Sequence, residues 1–286
     1  MSDVNVYEHE IPNGSKLYFA KSAKLKRKIE QKASEILENE GFSEIVTPFF
    51  SYHQHLSVDA TNLLRFSDSL NHEISLRADS TVDTVRIVLR RLKANEPKRW
   101  FYIQPVFRYP SQEIYQIGAE LIGENDILKS INIVAKLFSE LKIGACLQLS
   151  NMQIPRIICE ILNLEIEIFE NSWLEKILAQ NVPWLSKLAL LKDASELDEI
   201  VNLVPDKLKE ALRNLQSVAK SLEYKNLRIV PLYYSKMRYY DSLFFRFLKD
   251  NAILASGGNY EIDDISSSGF AVYRYALIEE KINLRK

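Results

Sequence analysis

Cysteine and histidine are scarce in this sequence. Its 286 residues include two cysteines, Cys146 and Cys159, each among apolar residues, and no Cys-x-x-Cys pair. This usage argues against a disulfide framework and is typical of buried free thiols in a reducing cytoplasm. The four histidines do not have the spacing of a metal motif, so we expect no metal site.

Long apolar runs and a strong net charge are absent as well. No stretch is apolar for long enough to cross a bilayer, and the polar residues 1–14 do not resemble a signal peptide. The formal net charge is −1, so the overall charge favours neither nucleic acid nor an anionic membrane. We therefore expect a cytoplasmic protein without a membrane segment.

Glycine is also rare, with eight in the chain, and its positions are informative. A sequence that avoids glycine retains it where the backbone conformation or the available space requires it. Five of the glycines fall in two stretches, residues 107–123 and 256–270: Gly118, Gly123, Gly257, Gly258 and Gly269. We expect a binding site to lie in these two stretches.

Helical and strand patterns alternate in the first third of the chain. Residues 20–39 have helical spacing, and a short strand is predicted before Pro48. Residues 51–72 have no clear period and are expected to be loop and short helix. A strand then runs into a helix, with residues 79–81 at the position of the N-cap and Pro97 at the end.

The remaining patterns predict the fold class. A helix is expected at about 126–142, residues 152–223 read as mostly helical, and residues 269–281 read as a helix or a strand followed by a helix. Strands are predicted at residues 145–151, 227–235, 238–248 and 251–258. The mixture indicates an α+β fold, an antiparallel sheet flanked by helices, with a helical insertion at about 152–223 in one domain covering 1–286.

A β-hairpin is predicted at residues 99–121, with Pro110 in the turn. Pro105 argues for an edge position or a bulge in its first strand. In the second strand, alternation places two sets of side chains on opposite faces: Tyr115, Ile117, Ala119 and Leu121 towards the core, and Gln116, Gly118 and Glu120 on the other side. The polar set is either a floor for a small polar ligand or a solvent-exposed face, and the pattern leaves both open.

Six segments, taken in order, resemble the catalytic domains of class II aminoacyl-tRNA synthetases. They most resemble histidyl-tRNA synthetases and their non-synthetase paralogue, the regulatory subunit of ATP phosphoribosyltransferase. The segments are the opening "IPNGSKLYFAKSAKLKRKIE", "EGFSEIVTPFF" (motif 1), "LRADSTVDTVRI", "FRYPSQEIYQIGAELIG" (motif 2), "LALLKDASELDEIV" and "SGGNYEIDDISSSGFAVYRYALI" (a degraded motif 3). Their shared order makes the resemblance specific.

The resemblance implies a histidine pocket. Gln116 matches the family residue that contacts the main-chain groups of the amino acid, and Glu120 matches the one that receives the imidazole. Asp79 and Thr81 match the pair that holds the α-amino group, although plain helix capping is an alternative that can coexist with this role. The other residues that the resemblance places at the ligand are the motif 2 arginine and the two tyrosines of "MRYYDSL": Arg108, Tyr239 and Tyr240.

Departures from the synthetase pattern imply that the chain does not activate an amino acid. Ala276 stands at the motif 3 arginine, and Tyr273 replaces a glycine where its ring would fill space that adenine needs. Two further positions at which the family has arginine hold Ser235 and Asn259 in this chain. Arg238 and Arg274 lie near enough in the sequence to replace part of the function of the missing family arginines, although nothing in the sequence requires this. The chain stops soon after motif 3, which implies no anticodon-binding domain and no tRNA partner.

The resemblance implies a non-catalytic regulatory subunit. Such a subunit senses histidine, needs no cofactor and supports the short-form catalytic subunit of ATP phosphoribosyltransferase in the first step of histidine biosynthesis. Motif 1 implies a homodimer whose interface partly covers Phe42, Ile45, Val46 and Phe49. Two alternatives remain open: a stand-alone paralogue that binds another amino acid or partner, and a truncated ligase that still forms an aminoacyl-adenylate.

Overall fold

The strands form two sheets. The computed structural model describes residues 10–92 and 98–283, so the helix end predicted at Pro97 lies outside the described residues. The strands are β1 (Ser43–Glu44), β2 (Phe50–Ser51), β3 (Arg65–Ser67), β4 (Glu73–Leu76), β5 (Arg99–Arg108), β6 (Gln112–Leu121), β7 (Cys146–Asn151), β8 (Leu227–Ile229), β9 (Tyr240–Lys249), β10 (Ala252–Ile262) and β11 (Ile265–Tyr273). Eight form a sheet in the order β1-β5-β6-β11-β10-β9-β7-β8, and three form a small sheet in the order β2-β4-β3. The large sheet is antiparallel except for the pairs β1–β5 and β7–β8, which confirms the predicted α+β class.

The helices fall before, between and after these strands. They are α1 (Ala20–Asn39), α2 (Thr81–Arg86, continued by a π-helical segment at Ile87–Leu92), α3 (Ile127–Glu140), α4 (Gln153–Leu162), α5 (Glu167–Glu170), α6 (Leu174–Leu178), α7 (Pro183–Leu190), α8 (Leu197–Leu203), α9 (Asp206–Ser221) and α10 (Arg274–Asn283). Short 3-10 turns lie at Gln54–Leu56, Ala60–Asn62 and Ala194–Glu196. The helix predicted at residues 20–39 is confirmed by α1, and the strand-to-helix interpretation of 269–281 is confirmed by β11 and α10.

One face of the large sheet packs against α1, α3 and α10. Helix α1 presents a stripe of buried side chains to this core: Leu25, Ile29, Ala33, Ile36 and Leu37. On β6, Ile117, Ala119 and Leu121 are buried on the same face, as the alternation predicts, while Tyr115 is half-buried. The core face of the hairpin is therefore confirmed.

The opposite face of the sheet is covered as well. Val82 and Val85 of α2 pack with Tyr240, Phe244 and Tyr260 in a second apolar cluster on this side. The polar face of β6 therefore lies between two layers and is not exposed to solvent. The alternative of a solvent-exposed strand face is wrong, because α2 covers it.

The hairpin of β5 and β6 runs in register from Arg99↔Leu121 to Arg108↔Gln112 around a turn at 109–111. Across the described residues, β1 pairs with β5 only at Trp100 and Phe101. Pro105 thus lies where β5 has β6 as its one strand neighbour, which confirms the predicted edge position.

Helices α4 to α9 connect two neighbouring parallel strands, β7 and β8. Residues 152–223 are mostly helical, as predicted, and most of the buried side chains of these helices belong to the same apolar cluster as α1 and α3. The strand predicted at 227–235 is wrong beyond Ile229, since Pro231 follows, residues 231–232 form a turn and residues 233–235 are irregular. The assignment of 1–286 to one domain stays a prediction.

The motif 1 segment divides between core and surface. Phe42 is buried within the core of its own chain, so it is not available to a partner and the prediction that an interface covers it is wrong. Ile45 is half-buried, whereas Val46 is 79% exposed and Phe49 is 54% exposed. The exposed apolar side chains of this segment therefore lie in its second half.

Candidate functional site

A cavity of about 280 Å³ lies on the sheet face that α2 covers. Its lining comes from the start of α2, from strands β5, β6, β9, β10 and β11, from α5 and from the segment that leads into β9. Six of the seven residues predicted to bind a ligand line this cavity: Asp79, Thr81, Arg108, Gln116, Tyr239 and Tyr240. The fold therefore brings together side chains that are up to about 160 positions apart in the sequence.

Small side chains create the hollow in the sheet. One row of residues lies side by side across β5, β6, β11, β10, β9 and β7: Tyr102, Gly118, Ala271, Ser256, Arg246 and Gln148. Ala271 and Ser256, in the middle of the row, form part of the cavity floor. The space over Gly118 is filled by the Tyr102 ring, with which a Cβ on Gly118 would collide. The Tyr102 ring therefore occupies the space that the missing side chain of Gly118 leaves.

Glu120 lies beneath the floor and does not line the cavity. Its carboxylate accepts hydrogen bonds from the Tyr102 hydroxyl at 3.1 Å and the Tyr260 hydroxyl at 2.8 Å, and it lies against Gly269. Burial raises the pKa of the Glu120 carboxyl to about 8. Contact between Glu120 and an imidazole stays a prediction, and such contact would require the carboxyl to leave these two hydroxyls.

Asp79 has two roles in the structure. Its Oδ1 accepts hydrogen bonds from the backbone N–H of Thr81 at 3.0 Å and of Val82 at 3.3 Å, so it caps α2. Its Oδ2 accepts a bond from the Tyr239 hydroxyl at 3.1 Å at the cavity. Burial raises the pKa of the Asp79 carboxyl, and the positive charge of Arg108 acts against that shift. Helix capping is therefore confirmed, and it coexists with a position on the cavity wall.

Gln116 provides the clearest sign of an unfilled site. Its side chain is 4% exposed and lines the cavity, and its Oε1 has no hydrogen-bond partner in the described part of the chain. Buried side-chain oxygens in native proteins are nearly always bonded. The Gln116 oxygen is thus an acceptor in place for a ligand donor, in the same cavity as the Asp79 carboxyl.

Aromatic rings form one wall of the cavity. The rings of Tyr239 and Tyr240 are 4.6 Å apart, and the Tyr240 ring lies 4.7 Å from that of Phe244. Arg108, on the rim, donates a hydrogen bond from Nε to the carbonyl of Ala78 at 3.3 Å. The cavity therefore combines carboxylate, amide, guanidinium and aromatic groups, a set that suits a small amino acid.

Several lining residues were not predicted from the sequence as ligand contacts. They include Arg246, Tyr233, Ser256, Met237 and Glu170. A signal existed for Arg246, which is the one charged residue within the apolar run "SLFFRFL" of β9. Tyr273, which was predicted to fill the adenine space, lines the cavity with its hydroxyl 2.9 Å from the Ser256 hydroxyl.

The arginines considered as substitutes for the motif 3 arginine lie elsewhere. Arg274 begins α10, where it pairs with Glu30 of α1 and stacks 4.3 Å from the centre of the Tyr115 ring. Arg238 is exposed and pairs with Asp59 at 2.9 Å. Neither one lines the cavity, so substitution by either is ruled out in this structure. Asn259 is buried away from the cavity, whereas Ser235 is part of its lining.

Residues 10–92 and 98–283 contain neither a candidate metal site nor a helix that could span a membrane. Within this part of the chain, no group of three or more histidine, cysteine, aspartate or glutamate side chains could hold a metal ion. None of its helices has the length and apolarity needed to cross a membrane. The cavity is therefore the feature on which a functional interpretation rests.

Comparisons with known proteins agree in both sequence and fold. A family model described as histidyl-tRNA synthetase matches residues 18–277. The ATP phosphoribosyltransferase regulatory subunit of Wolinella succinogenes is 46% identical over 97% of both chains. The protein of the same name from Helicobacter hepaticus is 38% identical over 96% of this chain and 98% of its own.

Solved structures with this fold share little sequence with the chain. A Bacillus halodurans structure described as an ATP phosphoribosyltransferase regulatory subunit/histidyl-tRNA synthetase superposes with a TM-score of 0.84 at 20% identity, over 96% of this chain and 83% of that one. A histidine–tRNA ligase subunit from Alicyclobacillus acidocaldarius gives 0.82 at 18% identity, over 97% and 98%. These two likenesses show a class II synthetase fold, and the sequence relatives narrow the assignment. The chain belongs to the family of ATP phosphoribosyltransferase regulatory subunits, within the wider histidyl-tRNA synthetase family.

Proposed function

We propose that this protein binds histidine in the cavity and regulates the catalytic subunit of an ATP phosphoribosyltransferase in the first step of histidine biosynthesis. The observation that carries the ligand assignment is the buried Oε1 of Gln116, which has no partner among the described residues and lies in the same cavity as the Asp79 carboxyl. The names of the two full-length relatives support the regulatory role.

An α-ammonium group fits the acceptors at the start of α2. It would donate to Oδ2 of Asp79 and Oε1 of Gln116, with the Thr81 hydroxyl beside them. Tyr239, which now donates to Asp79, would form the adjoining wall with Tyr240. A cation at this point would also favour the charged form of Asp79, whose pKa is raised by burial.

The chain is proposed to have no aminoacylation activity of its own. Ala276 is buried in α10 and has no group that could meet a phosphate. Tyr273 projects into the cavity, and Arg238 and Arg274 have carboxylate partners elsewhere. Amino-acid activation needs cations placed where negative charge develops, and the cation of motif 3 is missing here although Arg108 lines the cavity.

A homodimer is proposed through the surface that β2, β3 and the end of motif 1 share. Val46, Phe49, Phe50 and Phe66 are all large, apolar and exposed there, and the Phe50 and Phe66 rings lie 6.1 Å apart. Contiguous apolar surface of this kind marks an interaction site, and a twofold pair is the commonest way to bury it. Light scattering that gives a monomer at micromolar concentration would contradict this part of the proposal.

The ligand proposal is tested by calorimetric titration with histidine. Gln116→Leu removes the acceptor and keeps the size of the side chain, so we expect weaker binding from a folded protein. Gln112→Leu, at the exposed start of the same strand, is the matched control and should bind like the wild type. Absence of heat with wild-type protein at millimolar histidine would refute histidine binding.

The partner proposal needs its own test, because it rests on the names of relatives. The catalytic subunit of the same organism should co-purify with this chain, and its activity should change when the chain is added. A catalytic subunit that carries its own regulatory domain, works alone and never co-elutes would favour the stand-alone paralogue instead.

A further inference from the structure

A second cavity, of about 310 Å³, lies between the large sheet and the helical crossover. Ile177 of α6 and Leu188 of α7 form one side, and the segment at 230–233 forms another. Gln148 of β7 and Arg246 of β9 lie at its polar end, and Arg246 and Tyr233 also line the first cavity. Its volume is at the lower end of the range for small-molecule sites.

The charge in this second cavity is of one sign. Among the described residues that line it, Arg246 is the one charged side chain, and no carboxylate is present. Most of the remaining wall is aliphatic, including Leu174, Ile177 and Leu188. The cavity therefore offers an apolar volume with a single cation at one end.

Arg246 lacks an anionic partner. Its Nη2 donates to Oε1 of Gln148 at 2.6 Å, and its guanidinium lies 3.6 Å from the centre of the Tyr233 ring. Its Nε is buried and has no hydrogen-bond partner, and no carboxylate of the described residues lies within ion-pair distance. Burial lowers the pKa of this arginine. Arg246 is half-buried, and a partly desolvated guanidinium without a counter-charge is costly, so a bound anion would offset that cost.

We propose that this cavity binds a small aliphatic monocarboxylate, whose carboxylate pairs with Arg246 and whose hydrocarbon body lies among Ile177, Leu188 and Val230. A guanidinium is the side chain best suited to a carboxylate. An α-amino acid fits less well, because its ammonium group would be buried without an acidic partner. The site does not depend on the histidine proposal, so either one can fail while the other stands.

The test compares three ligands of nearly equal size: isocaproate, its alcohol isohexanol, and leucine, which is isocaproate with an added amino group. Binding is followed by NMR of labelled isoleucine, leucine and valine methyl groups. We expect isocaproate to shift the methyl signals of Ile177 and Leu188 and to bind about tenfold or more tightly than the other two. Equal affinity for acid and alcohol, or no shift at millimolar isocaproate, would overturn the proposal, and neither result requires a variant.

Variants then locate the ligand. Arg246→Gln should abolish the preference for acid over alcohol. Ala189→Phe fills the cavity from α7 and should weaken both ligands, whereas Leu190→Phe, at an exposed neighbour on the same helix, should change neither. Thermal melting checks that each variant is folded. Isocaproate binding that survives Ala189→Phe in a folded protein would show that this cavity is not the site.

Discussion

The buried carboxyl of Glu120 makes a strong prediction about stability and pH. The pKa of this group is about 8 in the folded chain, against an ordinary value of 4.5, because burial disfavours its charged form. Between these two values the folded protein holds a proton that the unfolded chain has released. The unfolded state therefore binds fewer protons, and the free energy of unfolding must fall as pH rises through this window.

The magnitude follows from the same two values. One such group lowers the free energy of unfolding by at most about 1.4 kcal/mol per pH unit, and by on the order of 4–5 kcal/mol across the whole window. Glu120→Gln removes the titration and nearly keeps the shape. Its amide oxygen can accept from one tyrosine, and its NH2 can donate to the hydroxyl oxygen of the other.

The assay is urea unfolding of wild type and Glu120→Gln from pH 5 to 8. We expect the variant to gain stability relative to wild type as pH rises. Glu261→Gln, an exposed position on β10, serves as the control and should run parallel to wild type. If the Glu120→Gln and wild-type curves are parallel as well, the carboxyl is not protonated in the folded protein and the reasoning about its burial is refuted.

Three further predictions concern binding, assembly and stability. Asp79→Asn keeps an acceptor for the α2 cap but removes the charge, so histidine affinity should fall about ten- to hundredfold by calorimetry while helical circular dichroism is unchanged. Phe49→Asp places a charge on the proposed dimer surface and should give a monomer by light scattering, whereas Lys136→Asp, at an exposed position of α3, should not. Arg77→Met leaves the carbonyls of Thr47, Pro48 and Pro105 without their donor, and should lower the free energy of unfolding by about 3 kcal/mol or more in urea.

Local geometry explains why much of the fold was predictable. The alternation of Ile117 and Gln116 follows from the geometry of any strand, and it correctly separated the core face of β6 from its polar face. Helix α1 was predictable to its ends because its apolar stripe and the following Gly41 are both local signals. By contrast, periodicity alone extends the strand past Ile229, because it takes no account of Pro231, which cannot donate a hydrogen bond to a sheet.

The errors at the site came from contacts distant in sequence. Nothing near Gly118 indicates that Tyr102 fills the space above it, because that contact depends on the register of the hairpin. The position of Glu120 beneath the floor depends likewise on Tyr260, which lies 140 residues further along the chain. Arg274 was considered for the cavity from its place in motif 3, but the first turn of α10 directs it towards Glu30 instead.

The fit of Tyr102 over Gly118 also restricts how this sequence can evolve. Any side chain at position 118 would collide with the tyrosine ring, so a first step at that position alone is blocked. The reverse order is open: a smaller residue at 102 leaves Glu120 with one hydroxyl donor fewer and frees space above the strand. A larger residue at 118 would then be tolerated. Sequences with a side chain at position 118 are therefore reachable only after position 102 has changed. The two positions are thus expected to show sign epistasis: whether a substitution at 118 is harmful or tolerated depends on whether position 102 has already changed.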